Sequence, residues 1–167
     1  MCEYCGCQSI TVIAELTREH DAVVAELAKV RRELTQGDVD AAAQTARRLT
    51  EILGPHTQVE EHGLFPLMAG DFPDHVSALR GDHRLIEDVL AEASVRTPTD
   101  VGWPARMLDV VELLREHILK EQDGLFPATL SVIDTEGWLS VEATRARVGT
   151  GLTTMVGAGS LAPQEDE

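Results

Sequence analysis

A chain of 167 residues fits one domain, large enough to bury a core without staples, and an aliphatic composition with 43% hydrophobic and only 4% aromatic residues favours helices over sheet. The formal net charge of −15 argues against nucleic acid or anionic lipid as a partner, because phosphate binding needs a basic face. The opening MCEYCGCQ lacks the basic-then-apolar form of a signal peptide, and no window approaches the roughly eighteen apolar residues of a spanning helix, so a cytoplasmic protein with no membrane contact is expected.

Taken in chain order, residues 1–8 form an N-terminal segment that holds all three cysteines, Cys2, Cys5 and Cys7, in a C-x-x-C-x-C run. Such spacing reads as metal-binding or redox-active rather than as a structural disulfide. Three thiolates are one short of a four-ligand site, so Glu3, an exogenous ligand or a second chain would have to complete it. Oxidant sensing through a Cys2–Cys5 disulfide and a frayed terminus with incidental thiols are the other readings.

The first helix is expected from about Ser9 to Gln36, with Ile10, Ile13, Leu16, Val23, Val24, Leu27 and Val30 as its apolar stripe, His20 inside that stripe and Gly37 ending it. Asp38 or Asp40 suits the cap of a second helix running through Leu49, Ile52 and His56 to about Met68, with a bend at Gly54-Pro55. Pro73 opens a third helix to about Val95 that carries His83 and Glu87. A fourth begins between Val101 and Pro104 and carries Met107, Val110, Leu114, His117 and Glu121. Short connections make this an all-α, up-down-up-down antiparallel four-helix bundle over 9–131. A short fifth helix over 132–148 and a flexible acidic tail over 149–167 follow.

One eleven-residue string occurs twice: HTQVEEHGLFP from His56 and HILKEQDGLFP from His117. Both copies read His-x-x-x-Glu-x-x-Gly-Leu-Phe-Pro, so a histidine and a glutamate recur one helical turn apart on one face. Each bundle helix then carries one inward histidine, in the order His20, His56, His83 and His117. With Glu60 and Glu121, six side chains can meet in the bundle centre.

Imidazole is a neutral nitrogen donor for iron, zinc, copper or nickel, and a carboxylate can bridge two cations and offset their repulsion. Mixed nitrogen and oxygen ligation without inner thiolates favours iron over structural zinc. Six side chains cannot fill two octahedra, so water, hydroxide, an oxo bridge or further side chains must complete them.

At these residues the chain resembles the hemerythrin-like family, bacterial proteins of the HHE cation-binding type with a non-haem di-iron centre. The resemblance runs from about Ile10 to Leu130 and rests on His20, then His56 with Glu60, then His83, then His117 with Glu121; the Leu-Phe-Pro exits are also typical. It implies two non-haem Fe ions with an oxo or hydroxo bridge, His20 and His56 on one, His83 and His117 on the other, and Glu60 and Glu121 bridging. It also implies O2, peroxide or NO as the small-molecule ligand. Oxygen-carrying members place two histidines four apart on the third helix, where this chain has His83 and Glu87. Their fourth-helix motif is His-x-x-x-x-Asp, where this chain has Gln122 and the acid is Glu121. These departures point away from reversible oxygen carriage. The pattern is similar to the branch that includes di-iron repair proteins responding to nitric oxide and oxidative stress, and mycobacterial hemerythrin-like proteins with peroxide-related activity.

Glu87 reads as an added ligand to the His83 metal, a hydrogen-bonding neighbour or a solvated side chain. Glu61 and His62 read as outer-shell or channel residues, His75 as a surface residue, and the Leu-Phe-Pro exits, Trp103 and Trp138 as packing. Three functions follow: a redox enzyme or stress protein acting on peroxide, oxygen or nitric oxide; an oxygen- or iron-binding carrier; and a sensor whose metal state alters a partner contact.

Overall fold

The computed structural model describes residues 6–152. Cys2 and Cys5, and positions 153–167 of the expected tail, lie outside these. A single 3₁₀ turn, Cys7–Ser9, leads into α1, Thr11–Thr35, and Gly37 ends that helix with φ 76. Cys7 is 3% exposed and belongs to the core with Ile13, Leu16 and Phe65. Val24, counted in the apolar stripe, instead lies on the outer side at 39% exposed.

Asp38 caps α2, accepting from the Ala41 amide at 2.9 Å. This helix runs as Val39–Val59, passes through a π-turn at Glu60–Leu64 and resumes as Phe65–Met68. At Gly54-Pro55, where a bend or loosening is expected, the α-helical assignment continues, and a π-turn follows one turn later. Helix α3 is Pro73–Ala91, with Pro73 in its first turn, where the missing N–H costs nothing. Helix α4 repeats the plan of α2: Trp103–Lys120, a π-turn at Glu121–Leu125, then Phe126–Val132. Asp134 caps α5, Thr135–Val148, through the Gly137 amide at 2.8 Å. There is no strand among the described residues, and no helix is long and apolar enough to cross a membrane.

Helices α1 and α3 each pack on α2 and α4, which gives the bundle its square section. The apolar interior is divided in two. One cluster gathers Val23, Leu27, Leu49, Ile52, Trp103 and Met107; the other gathers Ile13, Leu16, Leu64, Phe65, Leu79 and Phe126. Each bundle histidine lies in sequence between residues of the two clusters, so a buried polar layer interrupts the core. Such a layer costs several kcal/mol per unpaired ionic group and persists only where its charges and lone pairs are satisfied.

Candidate metal centre

Both π-turns begin at the motif glutamate. In each, the phenylalanine amide donates to the carbonyl five residues back, Phe65 to Glu60 and Phe126 to Glu121, instead of four back as in an α-helix. The following proline, Pro66 or Pro127, has no amide to hold the α-helical register. The inserted residue rotates the phenylalanine onto an imidazole of another helix. Phe65 stacks on His83 with ring centroids 5.5 Å apart, and Phe126 on His20 at 5.7 Å. The Leu-Phe-Pro exits expected to be packing alone therefore also wall the polar layer.

Six candidate ligands converge there. His20, His56, Glu60 and Glu121 form one tetrad of potential ligand atoms and Glu60, His83, His117 and Glu121 a second, each within 4.8 Å, and all six side chains are buried. The two tetrads share both glutamates. Glu60 Oε1 lies 3.3 Å from His56 Nε2 and its Oε2 3.4 Å from His83 Nε2; Glu121 Oε1 lies 3.2 Å from His117 Nε2 and its Oε2 3.2 Å from His20 Nε2. Each carboxylate thus gives one oxygen to each tetrad. All four of these oxygens are buried without a hydrogen bond, as is His20 Nε2. Carboxylate oxygens and imidazole nitrogens that converge in a dry core at ion-pair distance, with no hydrogen-bond geometry at the oxygens, are what a pair of cations would satisfy.

The outward ring nitrogens are held from neighbouring helices. His56 Nδ1 bonds Glu19 Oε2 at 2.9 Å, His83 Nδ1 bonds Glu61 Oε1 at 3.0 Å, and His117 Nδ1 lies 3.3 Å from Asp82 Oδ2. His20 Nδ1 faces the Gln122 amide at 3.3 Å, a group that can present either its oxygen or its nitrogen to the ring. An Nδ1–H given to such a partner turns Nε2 inward, where His83 Nε2 and His117 Nε2 meet at 3.0 Å; loss of the Nε2 protons would make these nitrogens available to a metal.

Charge follows the same pattern. Burial opposes a proton on His56, yet Glu60 and Glu19 raise it to about 10; burial is likewise overcome at His83, raised to about 9 by Glu60 and Glu61. His117 is also raised, by Glu121 against burial. His20, whose outer partner is a neutral amide, is lowered by its burial, which outweighs Glu121. Glu60 falls to about 2 despite its burial and the nearby Glu121, because His56 and His83 favour the anion; Glu121 falls well below the usual carboxylate range through His117 and His20. Protons on imidazoles here balance the carboxylates, and an entering cation would displace them.

A family model for the hemerythrin HHE cation-binding domain matches residues 11–129. The chain belongs to this family. No curated protein and no solved structure matches it.

Within the hemerythrin domain, Glu87 stands apart from the other candidates: it borders the cavity above the centre but is exposed and joins neither tetrad. His62 is exposed, while Glu61 touches His83 as one of its two expected roles required. His75 is not simply a surface residue, because its Nε2 is buried beside Gly124. Glu19 and Asp82 are not among the candidates from sequence, and Gln122 stands there only as a departure from the family motif, with no role toward His20. A signal existed: Glu19 and Asp82 immediately precede His20 and His83, and each serves the histidine of the adjacent motif helix.

Proposed function

We propose that this chain is a cytoplasmic non-haem di-iron protein that reacts with peroxide, oxygen or nitric oxide in the oxidative and nitrosative stress response. The observation that carries this reading is the pair of buried tetrads sharing Glu60 and Glu121, whose four carboxylate oxygens make no hydrogen bond. Two iron ions, when bound, supply one-electron redox chemistry and positions for a small ligand. His20 and His56 would hold one iron, His83 and His117 the other, and both glutamates would bridge. The neutral Nε2 donors and anionic bridges favour the ferric state, which suits redox turnover more than reversible oxygenation.

The small cavity lined by the four histidines, Leu53, Ile86 and Leu114 has a volume of about 10 Å³, room for about one water, which supports a small ligand in preference to an organic substrate. Glu87 at its border would pass protons between solvent and the cavity, a role open to an exposed carboxylate.

The test is metal content and the optical spectrum of protein expressed in iron-rich medium, before and after peroxide. About two irons per chain with an oxo-bridged ferric spectrum, and catalytic loss of peroxide or nitric oxide, is the expected result. Zinc alone, or a single reversible equivalent of ligand, would overturn the redox reading.

A further inference from the structure

Arg145 lies outside the matched domain, which ends at residue 129, yet it reaches the edge of the metal centre and is only 8% exposed. Its Nη1 donates to Glu19 Oε1 and its Nη2 to Glu19 Oε2, each at 2.9 Å, and Nη1 donates also to the Gly149 carbonyl at 2.8 Å. Thr150 Oγ1 donates to Glu19 Oε1 at 2.5 Å. Glu19 Oε2 in turn holds His56 Nδ1. Together Arg145 and Thr150 engage both oxygens of the one carboxylate that orients His56.

The chain after α5 is built to deliver these groups. Gly149 has φ 80, a left-handed conformation that turns the backbone toward α1. Gly151 then seats on the Glu51 carbonyl, which Pro55 leaves without its helical donor, and a Cβ at position 151 would overlap that oxygen. The first four residues of the expected tail are thus a packed strap. Among the described residues the other end of the centre has no buried bidentate counterpart: Asp82 meets Lys120 Nζ at 2.9 Å and Glu61 meets Arg80 Nη1 at 3.7 Å, and these cations are 41% and 36% exposed. Arg80 also donates Nη2 to the Glu61 backbone carbonyl at 3.1 Å, but toward the carboxylates these are single, partly solvated contacts that hold them weakly, whereas a buried bidentate guanidinium fixes a carboxylate's plane.

We propose that Arg145 and Thr150 are positioning residues for His56, acting through Glu19, so that the His20/His56 metal position depends on the C-terminal segment and the His83/His117 position does not. This rests on the metal-centre reading above. Loss of the direct outer partner of a ligating histidine weakens metal binding by about 10- to 100-fold, which sets the upper bound for residues that act on His56 through Glu19.

The test uses the full chain loaded anaerobically with ferrous iron and challenged with a chelator, alongside histidine nitrogen NMR of the metal-free protein. In Arg145→Met, one iron leaves faster than in the unaltered chain, by no more than the roughly 10- to 100-fold that losing Glu19 itself would give, while the other keeps its rate. Arg145→Lys restores part of the retention, and Thr150→Val, which removes one hydrogen bond to Glu19, gives a smaller effect at the same position. Arg106→Met removes an exposed arginine paired with Glu92 and Asp100 and leaves both rates unchanged. In the metal-free protein the His56 Nδ1 proton signal is lost in Arg145→Met and that of His83 persists. Equal release of both irons, or unchanged release in both Arg145→Met and Thr150→Val, would overturn the proposal. If the unaltered chain binds no iron, the metal reading fails, and the NMR experiment decides the positioning: His56 and His83 signals that respond alike refute it. Should Arg145→Met not fold, Thr150→Val carries both measurements.

Discussion

The two halves of the bundle offer nearly the same inner set of ligand candidates and a different outer one. His20 matches His83, His56 matches His117, and Glu60 matches Glu121, each on an equivalent helix and, for the motif helices, beside a π-turn. Around them the match breaks. His83 and His117 look out to Glu61 and Asp82, two carboxylates; His20 and His56 look out to Gln122 and to Glu19, a neutral amide and a carboxylate already bound by Arg145. Even the repeated glycine is used differently. Gly63 faces Val141 of α5, whereas Gly124 faces the His75 ring. A duplicated motif therefore builds two positions alike in ligand type and unlike in basicity, because the outer shell comes from residues the motif does not include.

The largest effect expected is the removal of what the halves share. Glu60→Ala or Glu121→Ala takes one oxygen from both tetrads, and elemental analysis should find less than one metal per chain after dialysis in either variant. His56→Ala and His117→Ala should instead each cost one metal, from opposite positions; loss of both in either variant would mean that the positions do not bind independently.

In the metal-free protein the two halves should also differ in their response to pH. His56 at about 10 and His83 at about 9 are raised above the ordinary imidazole value of 6.5, so their stabilising contribution is complete below about pH 6.5 and is lost as pH rises through 9 to 10. The melting temperature should fall across that window and fall less in His56→Ala, while metal retention improves because loading expels those protons.

Gly151→Ala should destabilise the fold by roughly 1–3 kcal/mol, since the new methyl meets backbone that cannot yield, and chemical denaturation would measure it. A neutral outcome would mean that the strap is not seated on Glu51. The smallest effect comes from making the halves alike: Gln122→Glu gives His20 a carboxylate partner as His83 has. The midpoint potential should shift negative, read by redox titration of the loaded protein.

The helices, their order and the convergent set are legible from local sequence signals. Period, caps at Asp38 and Asp134, and Gly37 are local signals, and a His-x-x-x-Glu spacing aims two side chains along one helix face whatever the surroundings. The remaining features depend on how the helices pack. Whether the helix yields at Pro55 or at Glu60 depends on what packs beside it, and Gly151 covers the carbonyl that Pro55 frees. Glu87 keeps the i+4 spacing from His83, yet it ends exposed, because the rotation of α3 gives the inward sector to His83 and Ile86. The partners of the imidazole Nδ1 atoms are on other helices, and Arg145 meets Glu19 across 126 residues of chain. Contacts of that length are fixed by how the helices cross, which no local spacing encodes.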